Sequence, residues 1–230
     1  KEKDILNGAS KVNQFRFHLG FHYPRSPKTI NEIKSSEKLF KKFFPNNIFG
    51  KTENYYSIAN KNSKIPFNRY IQILKKFKLK FKIKKNIHYK KISDLILTKE
   101  KILNYFIFKK ILKKKIKASK IKLFLNKKFN KKQISLYDKI IVCAYSQNNQ
   151  ILDDLGLKRN KIKYRYELIE KILIKLPSQY QNKSFIVMDG KFVCIDPYLG
   201  TKYHLLSDVK FSKIEIVNKK LTNFKSTKFK

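Results

Sequence analysis

Apolar and cationic residues alternate from Lys76 to Lys85, with Phe77, Leu79, Phe81 and Ile83 interleaved with Lys76, Lys78, Lys80, Lys82 and Lys84. A period of two predicts a strand over 76–85 with one apolar and one cationic face. Same-face side chains then stand about 6.6 Å apart, a spacing at which successive ammonium groups reach neighbouring phosphates. An edge strand whose lysines only deter aggregation would look similar. Five lysines on one face exceed that need.

Beyond this stretch the period lengthens. Ser93-Asp94 and Thr98 resemble helix N-caps, each followed by apolar positions at helical spacing. Ile102, Tyr105, Phe106, Ile111, Leu112 and Ile116 predict a helix or helix pair, with Lys109, Lys110, Lys113, Lys114 and Lys117 forming a basic face. Left unpaired, those like charges would destabilise a helix; an anionic partner removes the cost. Residues 121–142 predict two strands around a turn at Asn126.

The last third predicts a basic helix over Lys161–Leu176 ending before Pro177, then a strand at Phe185–Met188. Asp189-Gly190 between two β-rich runs is a strong hairpin signal, with Lys191–Ile195 as the returning strand. A final strand at Lys213–Val217 precedes a basic tail. Residues 1–70, in contrast, are punctuated by Pro24, Pro27, Pro45 and Pro66, and only a helix around Asn31–Phe43 stands out. The fold class expected is α+β, in three parts: an irregular, partner-shaped extension (1–70), a strand-and-helix module (71–150), and a basic helix with a C-terminal hairpin (151–230).

Charge sharpens this picture. The chain holds 55 Lys+Arg against 16 Asp+Glu, a formal charge of +39 over 230 residues. A soluble surface needs a magnitude of only about 2–8, whereas binding phosphates and releasing their counterions uses such an excess. At 42% hydrophobic and 14% aromatic the chain can bury a core, unlike a disordered basic tail. Only five basic residues are arginine, and together with 19 Phe, 13 Tyr and no Trp this points to an A+T-rich genome, such as an organelle's. No apolar run approaches the roughly eighteen residues of a membrane span. The lack of a recognisable presequence fits synthesis inside the organelle.

Candidate catalytic chemistry is sparse. Cys143 and Cys194 lie in apolar stretches and read as reduced core thiols. His18 and His22, four apart, read as aromatic packing or phosphate contact rather than a zinc site. Neither GxxxxGK[ST] nor GxGxxG occurs. Aromatics interleaved with lysine suit base stacking and backbone neutralisation. No cofactor, small-molecule substrate or membrane is expected.

Leu125-Asn126-Lys127-Lys128-Phe129, then Ile134-Ser135-Leu136-Tyr137-Asp138-Lys139-Ile140-Ile141-Val142, resembles the V-N-G-K-x-V and V-S-P-x-D-x-I-x-V strands of the S-four RNA-binding module. Lys127 stands where that family has a turn glycine. Pro177-Ser178-Gln179-Tyr180, Met188-Asp189-Gly190-Lys191-Phe192 and Leu205-Leu206-Ser207-Asp208-Val209 are similar to later motifs of the same ribosomal family. Gly8, Lys11-Val12-Asn13 and Leu19-Gly20 look like the opening of the third small-subunit ribosomal protein, though no GxxG loop follows. Both resemblances imply a non-enzymatic constituent of the small ribosomal subunit, with small-subunit rRNA and neighbouring ribosomal proteins as partners; with the A+T-rich composition, the subunit expected is an organellar, mitochondrial one. A lineage-specific mitoribosomal protein, or an RNA-modifying enzyme carrying an S-four-like module, are the alternatives. The expected RNA contacts are Lys76, Lys78, Lys80 and Lys82 on the strand, and Lys109, Lys110, Lys113, Lys114, Lys117, Lys120, Asn126, Lys127 and Lys128 on the module.

Overall fold

The computed structural model describes residues 2–157, 162–190, 192–222 and 224. In chain order, β1 (Arg16–Phe17) precedes α1 (Pro27–Phe43), β2 (Glu53–Ile58) and α2 (Phe67–Lys76). Then come β3 (Phe81–Lys84), β4 (Leu95–Thr98), β5 (Lys101–Ile102) and α3 (Tyr105–Lys117). The rest comprises α4 (Asn148–Asp154), β6 (Tyr164–Ile169), β7 (Ile172–Ile174), β8 (Lys183–Met188), β9 (Val193–Pro197), β10 (His204–Asp208) and β11 (Lys213–Lys219). The α+β class expected from the sequence is the class formed.

The larger of two compact units combines Ile5–Lys122 with Lys171–Lys210. Its seven-stranded sheet runs β3-β4-β2-β8-β9-β10-β7. At its centre β2 and β8 pair in parallel, Glu53 opposite Lys183 through Ile58 opposite Met188. Alternate residues of β8 (Ser184, Ile186, Met188) are buried, the period-two signature of a strand with one face on a core. That core gathers Phe21, Tyr56, Ile58, Ile96, Ile186, Met188 and Cys194. Tyr70 and Leu74, one turn apart on α2, complete it. Each such burial contributes roughly 1.5–3 kcal/mol. Ser26 caps α1 by accepting from the Thr29 N–H, and Pro27 presets its first turn.

The smaller unit contains Leu123–Glu170 and Phe211–Lys230, joined by the first four residues. Here β6 and β11 pair antiparallel, burying Tyr166 and Val217. The Asn149 side-chain amide donates to the carbonyls of Ile162 and Lys220, 2.5 Å each, which fixes α4 beside this ribbon.

Several expectations are corrected. Residues 1–70 are not an irregular extension: Phe15, Phe21, Ile30, Ile48, Tyr56, Ile58 and Tyr70 are buried. Their prolines bound short elements that dock on the sheet, so punctuation here marks segmentation rather than disorder. The division at 70 and 150 follows neither unit, because the larger one is assembled from two distant stretches.

The strand expected over 76–85 begins only at Phe81. Lys78 takes a left-handed conformation (φ 52°), donating to the Lys75 carbonyl at 2.9 Å while Leu79 donates to Leu74 at 3.0 Å. This is a Schellman cap on α2, with lysine where glycine usually sits. The helical region expected from Ser93 is β4 and β5 first, and α3 starts at its true cap, Asn104.

The basic helix expected over Lys161–Leu176 is instead β6 and β7. Tyr164, Tyr166 and Ile172–Ile174 are aromatic and aliphatic, and the ladders offered by β11 and β10 outweigh local helix propensity. The two strands expected across 121–142 do not form. That segment carries one 3-10 stretch, Lys131–Leu136, closed by an Asn130/Gln133 capping box. Asn126 does turn left-handed there (φ 56°).

The hairpin at Asp189-Gly190 forms, with Phe185 opposite Ile195, but inside the main sheet rather than as a terminal extension. Asp189 is left-handed (φ 77°), and a Cβ on Gly190 would stand 2.7 Å from the Asn62 carbonyl. Cys194 is buried as expected; Cys143 is exposed.

Candidate nucleic-acid interface

Asn104 starts α3 by accepting from the Phe106 and Ile107 N–H groups at 3.1 and 3.2 Å. Tyr105, Phe108, Leu112 and Ile116 then turn inward at helical spacing. Lys110, Lys113, Lys114 and Lys117 occupy the exposed positions between them. Their four i,i+3 and i,i+4 like-charge pairs cost roughly 1–2 kcal/mol together. Lys114, Lys115 and Lys117 lie in the last turn, where the helix dipole offsets part of that cost. Lys109 faces the other way: its ammonium donates to Asn7 Oδ1 at 3.0 Å and lies 5.5 Å from the Tyr105 ring. It ties α3 to the N-terminal segment.

Lys76, Lys78, Lys80 and Lys82 are all exposed, while Leu79 and Phe81 pack on the main core. Burial therefore alternates from Lys76 to Lys82, although helix end, turn and strand share the run, and the alternation ends at Ile83, which is exposed. Lys120 is exposed just past α3. In the smaller unit the Asn126 N–H donates to the Glu2 carbonyl at 3.0 Å, and Lys127 lies 5.5 Å from the Phe124 ring. Lys128 pairs with Asp154 at 2.6 Å, which holds that carboxyl below its ordinary range.

A simpler sequence signal marks the same surfaces. Residues 101–137 hold thirteen lysines and no Asp or Glu, and residues 54–93 hold eleven lysines, Arg69 and again no acid. No carboxylate within either stretch can neutralise these charges locally.

Three of the sixteen acidic residues are buried instead: Glu100, Asp189 and Asp196. Arg16 is their hub. It donates to Asn54 Oδ1 at 3.4 Å, Glu100 Oε2 at 3.3 Å, Ser184 Oγ and Asp196 Oδ1. Tyr56 also donates to Glu100, and the Leu19 N–H reaches its other oxygen at 2.7 Å. Burial alone would favour a neutral guanidine, but Asp196, Tyr56 and Glu100 outweigh it and raise the Arg16 pKa above the ordinary arginine range. Side chains of Arg16, Glu100 and Asp196 have no solvent exposure, so this cluster clamps β1 to the sheet rather than meeting a ligand.

Scarcity of arginine is the signal that could have found it. Among the described residues, Arg16, Arg25, Arg69 and Arg165 each donate to a side-chain oxygen: Asp196, Asp189, Gln72 and Glu167. At Arg16 both terminal nitrogens of the planar fork are used at once, which a lysine could not reproduce.

His18 and His22 pack ring against ring at 5.2 Å, and His22 also meets Phe192 at 5.4 Å. Burial, then Arg16 for His18 and His18 itself for His22, lowers both pKa values to about 4. The rings are therefore neutral when folded, and the unfolded chain binds protons that the folded one refuses. Stability should be complete above pH 6.5, the ordinary histidine value, and decline toward pH 4. The loss is on the order of 2–3 kcal/mol per ring. Urea unfolding at about pH 7.5 and about pH 4.5 measures it; a His18→Gln/His22→Gln variant should lose that part of the slope. No protein-family model matches the chain, and no curated protein matches it.

Proposed function

We propose that this chain is a non-enzymatic, rRNA-binding constituent of an organellar, mitochondrial small ribosomal subunit, encoded in the organelle and resident in the matrix. The observation that carries the reading is the lysine face of α3, which lies within an acid-free stretch of thirteen lysines in the sequence. A folded protein that pays the helix repulsion described above gains from it when phosphates lie against that face. A-form RNA has a deep major groove that side chains do not read, so contact by shape and phosphate suits lysine. Beyond α3, exposed Ile121, Leu123, Phe124, Leu136, Tyr137 and Ile141 suit burial against rRNA or neighbouring ribosomal proteins.

The S-four-like assignment within this proposal rests on the motifs around Asn126 and Asp138. The strands that the family has on either side are not formed here, so the charge face, not the module, supports the reading. The resemblance to the third small-subunit protein falls on residues 8–20, of which Leu19 joins the internal clamp through its N–H to Glu100 while Gly8 and Lys11 to Asn13 are exposed.

A Lys110→Glu/Lys114→Glu variant should bind structured RNA more weakly whatever its sequence. The slope of log affinity against log salt should become shallower by about 1–2 units. Filter binding across a salt series measures both, and an unchanged slope would move the RNA face away from α3. In the organelle, the protein should sediment with the small subunit rather than with free enzymes.

A further inference from the structure

The N-terminal segment and α3 enclose a cavity of about 220 Å³. Pockets for drug-sized ligands span roughly 300–1,000 Å³, so this one has room for a single planar ring. Its walls are aromatic: Phe15, Phe17, Phe40, Tyr105 and Phe108 line it. Phe17 and Phe40 stand 5.0 Å apart, Phe40 and Phe44 4.8 Å, and Phe44 and Phe108 5.0 Å, a half-buried series outside either buried core.

Polar groups are few. Ser10 and Asn13 contribute to the lining. The Asn13 side-chain oxygen Oδ1 accepts from the Phe15 N–H at 2.6 Å, which leaves the NH2 group of the same amide as the donor. Exposed Lys11 follows the lining residue Ser10 in the chain, and the protein as a whole carries a formal charge of +39.

We propose that this cavity takes one unstacked RNA base. The inference rests on the RNA-binding reading and adds a specific seat to a face that otherwise senses only phosphate. Charge decides between occupants. An aliphatic side chain from a protein would fill the ring-sized space, yet would gain nothing from Lys11 or from the chain's net charge of +39. A base arrives with its own phosphates on both sides and stacks on aromatic faces regardless of its identity. An amide donor at the rim then meets the acceptors that line every base edge.

The test uses the full chain and two RNA hairpins of equal length, one fully paired and one with a single bulged 2-aminopurine. Titration at low salt should show the bulged hairpin binding about tenfold more tightly, with its emission quenched by stacking. Ser10→Trp plugs the entrance from an exposed position; it should abolish that preference while leaving affinity for the paired hairpin unchanged. Phe40→Leu keeps the site apolar and should remove most of the quenching. Equal binding of the two hairpins, or a preference that survives Ser10→Trp, would overturn the base seat and leave the phosphate-binding face standing. Failure to bind either hairpin would overturn both.

Discussion

Replacing Arg16 with methionine should cost about 3–5 kcal/mol of stability, because removing one partner leaves buried charges uncompensated. Asp196 and Glu100 would keep their burial and lose the guanidinium that neutralises them. Asp196 would retain Ser184 at 2.7 Å, and Glu100 would retain Tyr56 and the Leu19 N–H, neither set being a cation. A domain of this kind has only about 5–15 kcal/mol in total, so the variant should be marginal at room temperature. Urea unfolding of wild type, Arg16→Met and Arg16→Lys measures it. Lysine keeps the charge but lacks the fork that serves Asn54, Glu100, Ser184 and Asp196 together, and should fall between. A loss below about 1 kcal/mol for methionine would mean that the cluster does not clamp the sheet.

RNA affinity should fall about 10³–10⁵-fold between roughly 50 and 200 mM salt, the behaviour of a protein making about six to ten phosphate contacts. Lys76, Lys78, Lys80, Lys82, Lys110, Lys113, Lys114, Lys117 and Lys120 are exposed in the larger unit and sufficient in number for that range. Lys109 and Lys128 should add little, since each is already engaged inside the protein. Fluorescence anisotropy with a structured RNA across the salt series measures the slope. A flat dependence would sink the electrostatic reading, and with it the role assigned to α3. The two predictions are independent: the Arg16 cluster is sealed from solvent, so its loss should unfold the protein without altering the salt slope of the folded fraction.

Where a residue type dictates backbone geometry, the sequence was legible. Asp189-Gly190 announced its hairpin, the run Asn31–Phe43 announced most of α1, and the Phe77–Lys82 alternation announced which side chains face water. Reading failed where a rarer solution replaced the expected one. A lysine, not a glycine, adopts the left-handed cap at Lys78, so the end of α2 carried no marker. A basic helix was expected over Lys161–Leu176, but strand partners elsewhere in the chain make residues 164–169 and 172–174 strands. The lysine face of α3 was visible as spacing; the inward turn of Lys109 was not, because its partner Asn7 lies in a segment that gave no helical or strand pattern. Arg16 was hidden for a similar reason: its carboxylates come from β9 and from the turn before β5, which no local pattern brings together.

The parallel pairing of Glu53–Ile58 with Lys183–Met188 has a consequence for how the protein is born. During translation the first of these strands emerges long before its neighbour exists. At about 5–20 residues per second the interval is on the order of ten seconds. Throughout it the nascent chain displays an open strand edge, the apolar face of Tyr56 and Ile58, and the lysine-rich stretch that follows. Its own net positive charge is then the main barrier to self-association, and a polyanion within reach of the exit port would be its first chaperone.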